Sequence, residues 1–326
     1  MKLSLLMAAC NQCDEVHKTL GSALPALEAS GHDWEVIVFD DASTDGCCER
    51  MPDNVRLIRS EKRLGCPEAR QRLAKLATGE IMVWTDPHCR YPVDCFSRLA
   101  EAALTNDALI QPRSRPRAHK KPIYGARIEF RNAHAGLRCD RNFRRARDVM
   151  GLYGTVYCIR SELYRKAGWM PLRGRYGQQE LGFGLALWFA GIPVLLLEDL
   201  VCIHKVRRTY SPNGEEFTYS HNDRDRVANV LGVHYGWFED TWEEFWLPRF
   251  RKWRKKIDIE RYVARPHMQM LRQWCNDRKR RTESMFFGAL RDAAHKTGGY
   301  ILEEFQYAAN KVGGHVLNDF NGEMEK

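Results

Sequence analysis

The feature that most constrains the fold is an alternation of strand and helix patterns over the first 85 residues. Four short apolar runs have the composition of buried strands: residues 3–9, 35–39, 55–58 and 81–85. Apolar residues recur at helical spacing after the first run, at Val16, Leu20, Leu24 and Leu27, and before the fourth, at Ala69, Leu73 and Leu76. Strands that alternate with helices in this order predict an α/β domain built on a parallel sheet.

Polar side chains follow three of these strands at their carboxyl ends. Asn11 follows the first strand, Asp40 and Asp41 the second, and Asp86 and His88 the fourth. Parallel sheets bind ligands beyond the carboxyl ends of their strands, so we expect these side chains to share one site. Alternate residues of a strand face the same way, and a carboxylate beside an imidazole can hold a divalent cation. The alternative is that these are ordinary turn residues.

The composition is that of a soluble globular protein with ample material for a core. Of 326 residues, 44% are hydrophobic, and no apolar run approaches the roughly 20 residues of a membrane span. The apolar start is too short for a signal peptide, so we expect a cytoplasmic location without a transmembrane segment. The 11 cysteines are odd in number, and Cys10-x-x-Cys13 has no second pair to complete a zinc site. Reduced, buried thiols are therefore expected.

The net charge of +9 comes almost entirely from the middle of the chain. Residues 101–180 carry 17 Lys and Arg against 7 Asp and Glu, whereas residues 1–100 carry 12 against 15. Much of this excess lies between positions 113 and 147, including Arg113, Arg115, Arg117, Lys120, Lys121, Arg144 and Arg145. A solvated surface is the ordinary explanation of a charge run, but this concentration favours a site for a polyanion.

Beyond residue 234 the pattern changes to helices rich in aromatic residues. Five aromatic residues fall on one face of a predicted helix: Trp242, Phe245, Trp246, Phe250 and Trp253. Packing of this helix against the α/β domain is the preferred interpretation, and a membrane-surface helix is the alternative. We therefore expect an α/β domain at residues 1–234 and a helical C-terminal extension at residues 235–326.

Three segments, in this order, carry a family resemblance. Residues 38–46 read Val-Phe-Asp-Asp-Ala-Ser-Thr-Asp-Gly, residues 86–89 read Asp-Pro-His-Cys, and residues 176–181 read Tyr-Gly-Gln-Gln-Glu-Leu. Over about residues 1–210 the chain resembles the family 2 glycosyltransferases of the GT-A fold, and in detail the polypeptide N-acetylgalactosaminyltransferases. The segments are similar to the nucleotide-binding turn, the D-x-H-C metal motif and the W-G-G-E-N-L segment of those enzymes. The resemblance implies an α/β fold with a mixed sheet flanked by helices, and transfer of a sugar from a nucleotide-diphosphate donor that is UDP-linked.

The resemblance also implies a metal site. Asp86 and His88 occupy the metal motif, and His204 falls where the N-acetylgalactosaminyltransferases supply a further histidine ligand. One carboxylate and two imidazoles suit Mn²⁺ better than Mg²⁺, because imidazole is not a hard ligand. The alternative for His204 is an ordinary histidine at the end of a strand.

Donor contacts are expected from the same strand ends. The resemblance implies that Asp40 or Asp41 accepts a hydrogen bond from the base of the donor, with Asn11 and Asp86 beside the nucleotide. Both aspartates could instead cap the turn that follows them. Arg70 is expected to support Asp86 or the diphosphate, or else to lie on the surface.

Glu180 is the candidate catalytic carboxylate, with Gln179 beside it. An inverting transferase needs a general base to take the proton of the acceptor hydroxyl. The acidic pair usual in the family is here Gln179-Glu180, and the N-acetylgalactosaminyltransferases retain configuration without such a base. The sequence therefore leaves inverting and retaining mechanisms open, and a helix N-cap is the alternative role of Glu180.

The acceptor is expected to be a polyanion, because the basic segment lies between the metal motif and Glu180. The preferred candidate is DNA, with the sugar transferred to a hydroxymethylated base that is flipped out of the duplex. Tyr124, Phe130, Phe143 or the predicted aromatic helix could stack on such a base. A polysaccharide, lipid-linked or protein acceptor is the alternative, and a catalytically inactive nucleic-acid-binding protein on the same scaffold is the alternative of a different class.

Overall fold

The architecture was analysed in a computed structural model of the chain. The structure describes residues 1–12, 14–116, 126–131, 134–139, 150–205, 223–251 and 257–297. Every statement below about its elements and contacts refers to these ranges.

Two β-sheets contain all the strands of the described part of the chain. In chain order the strands are β1 Lys2–Ala9, β2 Asp33–Asp40, β3 Val55–Arg59, β4 Ile81–Thr85, β5 Cys89–Arg90, β6 Leu109–Pro116, β7 Ala126–Arg131, β8 His134–Cys139, β9 Met150–Gly151, β10 Val156–Arg160 and β11 Val194–His204. The main sheet has eight strands in the order β3-β2-β1-β4-β10-β6-β11-β5, and the small sheet has the order β8-β7-β9. Strands β1 to β4 pair in parallel, as their sequence predicts, whereas β10 and β5 pair antiparallel with their neighbours. The sheet is therefore mixed.

The helices connect these strands and then continue alone to the end of the described chain. They are α1 Glu15–Glu28, α2 Cys66–Leu76, α3 Cys95–Thr105, α4 Ser161–Ala167, α5 Gln179–Phe189, α6 Asp223–Trp237, a π-helix Trp242–Trp246, α7 Leu247–Phe250, α8 Ile259–Val263, α9 Pro266–Asn276 and α10 Glu283–Thr297. Among the described residues no helix is both long enough and apolar enough to cross a membrane. The predicted cytoplasmic location remains a prediction.

The central strands are buried on both faces. Alternate residues belong to two separate apolar clusters, so that Leu6 and Trp84 contribute to one and Leu5 and Val83 to the other. Successive side chains of a strand point to opposite faces, and both faces of this sheet are covered. This two-sided burial explains why the strands read as nearly continuous apolar runs.

One polar side chain, Ser4, is buried within β1. Its hydroxyl donates to Oε1 of Glu35 and accepts the N–H of Gly79 at 2.8 Å. Residue 79 must be glycine here, because a Cβ would lie 2.6 Å from the Ser4 hydroxyl oxygen. Ser4 therefore ties β1 to β2 and to the turn that precedes β4.

The C-terminal helices pack directly on the α/β part of the chain. Trp237 of α6 stacks on Phe189 of α5 with ring centroids 5.0 Å apart, and the backbone N–H groups of Arg280 and Arg281 donate to the Phe189 carbonyl. The core residues of α5, α6 and α10 form one apolar cluster with one face of the main sheet. The predicted boundary between residues 234 and 235 falls inside α6, and the division into two domains remains a prediction.

The segment predicted to form one aromatic helix has a different structure from the prediction. Instead of one α-helix, the segment forms the five-residue π-helix Trp242–Trp246 followed by the short helix α7. The backbone N–H of Trp246 donates to the carbonyl of Thr241, five residues earlier. The aromatic residues still contact one another, with Trp246 and Phe250 stacked at 6.2 Å. Trp253 lies outside the described residues.

The cysteines whose side chains are described are all free thiols, most of them buried, as predicted. Cys95 and Cys202 approach one another, with their sulfur atoms 3.6 Å apart. Cys13 lies outside the described residues.

Candidate active site

Three predicted ligands converge at one edge of the main sheet. Asp86 follows β4, His88 precedes β5, and His204 ends β11. The pairing of β5 with β11 sets His204 opposite Cys89, next to His88. The candidate ligand atoms of Asp86, His88 and His204 all lie within 4.8 Å of one another. The Nε2 atoms of His88 and His204 are 3.9 and 3.4 Å from Oδ2 of Asp86.

The residues present fit a divalent cation. His204 is 8% exposed, its Nε2 faces Oδ2 of Asp86 at 3.4 Å, and within the described chain its Nδ1 has no hydrogen-bond partner. A neutral imidazole has one ring nitrogen with a lone pair, so this buried ring can serve as a metal ligand. Burial raises the pKa of Asp86, but the bond with His204 and the charge of Arg70 outweigh it and hold the pKa well below its usual range. Asp86 is therefore anionic at neutral pH and could offer an oxygen atom to a cation.

A neighbouring side chain, that of Gln12, orients His88. Oε1 of Gln12 lies 3.3 Å from Nδ1 of His88, and the Gln12 amide nitrogen donates to the Cys10 carbonyl at 3.0 Å. This second bond fixes which end of the amide faces the imidazole, so that Nδ1–H donates and Nε2 keeps its lone pair. Gln12 was not singled out in the sequence, although it directly follows Asn11.

Glu15 joins the backbones that carry both histidines. Its carboxylate accepts hydrogen bonds from Arg90 at 2.8 Å and Lys205 at 2.6 Å, and the N–H of Lys205 donates to the His88 carbonyl at 3.0 Å. Burial raises the pKa of Glu15, but the bonds from Lys205 and Arg90 lower it to about 2. Nothing in the local sequence marks this network, because its members are brought together only by the fold.

Arg70 connects Asp86 with the candidate catalytic residue Glu180. Its two terminal nitrogens donate to Oε1 of Glu180 at 2.9 Å and to Oδ1 of Asp86 at 3.0 Å. The guanidinium lies over the ring of Trp169, 4.7 Å from its centroid. Arg70 is only 5% exposed, so its position is not that of a surface arginine.

Glu180 lies in the first turn of α5, and the N-cap position is held by Gln178. The chain enters this helix through two residues with positive φ, Gly177 at 90° and Gln178 at 65°. Gln179 is buried, and its amide nitrogen lies 3.9 Å from the sulfur of Cys66. Gly154, in the turn before β10, leaves space beside Glu180, since a Cβ there would lie 3.4 Å from Oε1.

The Asp40–Asp41 turn is held by hydrogen bonds to its own surroundings. Asp40 accepts from the N–H of Ser43 at 2.9 Å and from Nε of Arg59 at 2.8 Å. Asp41 accepts two backbone N–H groups, those of Leu64 at 2.6 Å and Gly65 at 2.8 Å. Asp40 therefore caps the turn that follows it, the alternative role considered above, whereas Asp41 holds the start of α2 instead. A contact to a nucleotide would use remaining lone pairs of either carboxylate.

Asn11 joins the ends of β1 and β2 in a left-handed backbone conformation with φ of 50°. Its side-chain oxygen accepts the N–H of Thr44 at 2.8 Å, and its own N–H donates to the Ser43 hydroxyl at 3.0 Å. The predicted strand-end residues thus form one continuous edge of the sheet.

Two of the predicted acceptor-binding residues can be located. Arg113 and Arg115 lie on β6, where Arg115 is exposed and pairs in register with Ile203 of β11. Strand β6 runs parallel to β11, and its last residue, Pro116, pairs with His204, so Arg115 lies near the end of the sheet that carries His204. The remaining candidates lie outside the described residues: Arg117, Lys120, Lys121, Arg144 and Arg145.

Sequence comparison now identifies the family. The model of glycosyl transferase family 2 matches residues 4–167, half of the chain. The chain belongs to this family. Membership confirms the predicted enzyme class, a glycosyltransferase. Comparison with curated proteins finds no match.

Solved structures show which fold this family 2 glycosyltransferase adopts. The chain is similar to GalNAc-T7, crystallised with UDP, GalNAc and Mn²⁺, with a TM-score of 0.67 and 17% identity over 90% of this chain. It spans 58% of the length of that structure. The predicted GT-A fold, an α/β fold with a mixed sheet and a helical C-terminal region, is thereby confirmed.

Two further structures match at lower similarity. A mannosyltransferase from Pyrobaculum calidifontis, in complex with GDP-Man and Mn²⁺, has a TM-score of 0.48 and 17% identity over 95% of this chain and 83% of its own. TarS of S. aureus, in complex with UDP-GlcNAc, has a TM-score of 0.48 and 14% identity over 93% of each chain.

Proposed function

We propose that the protein is a metal-dependent glycosyltransferase that moves a sugar from a nucleotide-diphosphate donor to a hydroxyl acceptor. The observation that carries this proposal is the convergence of Asp86, His88 and His204 within 4.8 Å at the edge of the sheet. In a member of glycosyl transferase family 2, a cluster of this composition is the expected site for the cation that accompanies a nucleotide diphosphate. Asp86, His88 and His204 would hold that cation.

The donor is proposed to be UDP-linked and the cation Mn²⁺, with Mg²⁺ as the second choice. GalNAc-T7, which shares the fold, was crystallised with UDP and Mn²⁺, and two imidazoles in the ligand set favour Mn²⁺ over Mg²⁺. When bound, such a cation neutralises the charge that develops on the departing diphosphate. Asn11, Asp40, Asp41 and Arg70 are proposed to line the donor side, with Arg70 acting through Asp86 to which it is bonded.

Glu180 is proposed to act on the acceptor hydroxyl, with Gln179 as its neighbour in the helix. Arg70 holds Oε1 of Glu180 at 2.9 Å and thereby fixes the carboxylate relative to Asp86. Oε2 is not engaged by Arg70. A fixed carboxylate at this place can accept the proton of a hydroxyl that attacks the sugar, or a hydrogen bond from a hydroxyl of the sugar itself.

The acceptor is proposed to be a polyanion, with a hydroxymethylated base of DNA as the first candidate. Support comes from the concentration of basic residues in the sequence between positions 113 and 147 and from the exposed position of Arg115 on the strand that pairs with β11. Lys and Arg in such number bind phosphate backbones by releasing counterions. A polysaccharide, lipid-linked or protein acceptor is the alternative to be tested beside it.

The metal-dependent reaction is tested with a radiolabelled UDP-sugar and Mn²⁺. We expect His88→Ala to lower turnover about a hundredfold or more, because a missing ligand removes stabilisation worth several kcal/mol from the transition state. His17→Ala, which changes an exposed histidine of α1, is the matched control and should keep wild-type turnover. Equal turnover in His88→Ala and wild type would reject the metal site.

The acceptor is tested by mass spectrometry of nucleosides from hydroxymethylated DNA incubated with the enzyme and a panel of nucleotide sugars. A nucleoside heavier by one hexose or N-acetylhexosamine would establish DNA as acceptor. Duplex binding should weaken as salt rises and should be reduced when Arg144 and Arg145 are both changed to Ala. Unmodified nucleosides together with salt-insensitive binding would exclude DNA and leave the other acceptor classes.

A further inference from the structure

Asn229, in α6, is buried against the loop that leads to Glu180. It is 1% exposed, and its side-chain oxygen accepts the N–H of Gly174 at 2.8 Å. Its amide nitrogen faces three carbonyl oxygens, those of Gly174 at 3.1 Å, Tyr176 at 3.1 Å and Gly177 at 2.9 Å. One side chain thus contacts backbone groups of three of the four residues of loop 174–177. Buried backbone groups deprived of such a partner are costly, so this amide determines the course of the loop.

The opposite side of the same loop packs against the start of α2. The N–H of Cys66 donates to the Arg175 carbonyl at 2.8 Å, and a Cβ on Gly65 would lie 2.3 Å from Cα of Arg175. A Cβ on Gly174 would similarly lie 2.6 Å from Oδ1 of Asn229. Neither side of the loop has space for a further atom. The loop is therefore held between α6 and the segment Leu64–Gly65, whose N–H groups donate to Asp41.

The clamped loop sets the direction in which the chain enters α5. Gly177 and Gln178 follow it with φ of 90° and 65°, and a left-handed conformation at a residue other than glycine persists only where its surroundings enforce it. Glu180 comes two residues later and meets Arg70 at 2.9 Å. A shift of loop 174–177 would therefore displace Glu180 from Arg70.

We propose that Asn229 is a positioning residue for Glu180, acting through loop 174–177. Asn229 lies outside the residues that the family model matches, and this role makes α6 a part of the catalytic apparatus. The catalytic aspect of the inference rests on the proposed function of Glu180. The control of the loop by Asn229 does not depend on that proposed function.

The test compares Asn229→Ala with wild type in two measurements. By hydrogen–deuterium exchange, the amides of residues 174–180 should exchange about tenfold faster in the variant, because the loop loses its partner, while the central strands stay protected. With a nucleotide sugar and acceptor, kcat should fall about tenfold to a hundredfold, because Glu180 is misplaced. KM for the donor and the affinity for Mn²⁺ should stay near wild-type values, because the metal ligands are untouched.

Asn276→Ala is the matched control, since this amide belongs to α9 and bonds to Glu239 away from the loop. It should change neither measurement. Gly174→Ala perturbs the same contact from the loop side and should reproduce both effects, which keeps the inference testable where Asn229→Ala does not fold.

Unchanged exchange of residues 174–180 in a folded variant would overturn the inference, and so would faster exchange throughout the molecule, which indicates a general structural role. A wild-type enzyme that turns over no nucleotide sugar would instead overturn the proposed function. In that case the exchange measurement still decides whether Asn229 controls the loop.

Discussion

At the scale of single residues, the most consequential contact is the one that Arg70 makes with two carboxylates. A buried guanidinium is bonded to both Asp86 and Glu180, so a single positive charge stabilises two carboxylates. Removing one partner of a buried ion pair leaves the others uncompensated, which costs more than the pair itself contributes. Arg70 therefore stabilises the fold and the arrangement of the site together.

Arg70→Ala is predicted to lower the free energy of unfolding by about 3–5 kcal/mol, because two carboxylates then lose their buried partner. Urea denaturation followed by circular dichroism measures this change. Arg72→Ala is the matched control on the same helix, where Arg72 pairs with Glu68 at 2.9 Å on an exposed surface. The control should cost less than about 1 kcal/mol, and equal losses in the two variants would contradict the prediction.

Glu15 gives a prediction with a defined pH dependence. Its pKa falls from 4.5 to about 2 in the folded protein. A carboxyl whose folded pKa is lowered stabilises the fold above its unfolded pKa and loses that contribution as the pH falls toward the folded value. The stabilising contribution of Glu15 should therefore be complete above about pH 5 and disappear toward pH 2.

We expect Glu15→Gln to lower the free energy of unfolding by about 3 kcal/mol at pH 7, a figure that follows from the size of the pKa shift. The difference from wild type should shrink steadily when urea denaturation is repeated at pH 5, 4 and 3. Glu28→Gln, at an exposed position of the same helix, should show no such convergence. A Glu15→Gln deficit that is constant over this pH range would refute the assignment.

Some site residues could be predicted from the sequence, and others could not, for a physical reason. Asp86 and His88 could be predicted because they directly follow an apolar strand, although the structure places them in the turn between β4 and β5 and not on the strand itself. Glu15 and Arg90 are 75 residues apart, and Asn229 is 52 to 55 residues from the carbonyls it binds. No local pattern encodes such contacts, because they exist only after the elements have packed.

At the scale of secondary structure, apolar runs were sufficient to predict β1 to β4, of which β1 and β4 are buried on both faces. The π-helix Trp242–Trp246 could not be distinguished in this way. Its aromatic residues have a spacing that an α-helix would also place on one face. The difference lies in the N–H groups of Trp246 and Leu247, which donate to the carbonyls of Thr241 and Trp242, five residues earlier. Periodicity reports which residues are buried and does not report which carbonyl accepts each N–H.

The start of α2 gives the prediction at this scale. Gly65 has φ of 95°, and a Cβ there would collide with the backbone of Arg175. Gly65→Ala should lower the free energy of unfolding by about 1–3 kcal/mol through overpacking, with a further loss from the positive φ. Gly21→Ala is the control in α1, where a Cβ meets nothing within 4 Å. It should stabilise by about 0.5–1 kcal/mol, so the two substitutions are expected to differ in sign in thermal melts.

At the scale of the whole molecule, the C-terminal helices and the sheet share one core. Trp237 and Phe189 stack within the apolar cluster that also contains Leu6 and Trp84. Elements that bury their apolar surface against each other are expected to unfold together. This arrangement argues against an independently stable extension.

Calorimetry of the full chain is predicted to show one cooperative transition. Trp237→Ala should lower the free energy of unfolding by about 3–5 kcal/mol and should shift the unfolding of the sheet along with that of the helices. Met270→Ala, on the exposed surface of α9, should change it by less than about 0.5 kcal/mol. Two separate transitions, only one of them moved by Trp237→Ala, would support two domains instead.

The hydroxyl of Ser4 has a consequence for how the sheet is specified. Because both faces of β1 are apolar, sliding the strand by one residue would still bury hydrophobic side chains, so burial alone does not select one alignment. The bonds of Ser4 with Glu35 and Gly79 exist in one alignment only. Many apolar side chains contribute to the stability of the sheet, and each can be replaced by another of similar size. The alignment that brings Asn11, Asp40 and Asp86 level depends instead on a few polar contacts. A substitution can therefore disturb the alignment of the strands without a large loss of stability, or lower the stability without changing the alignment.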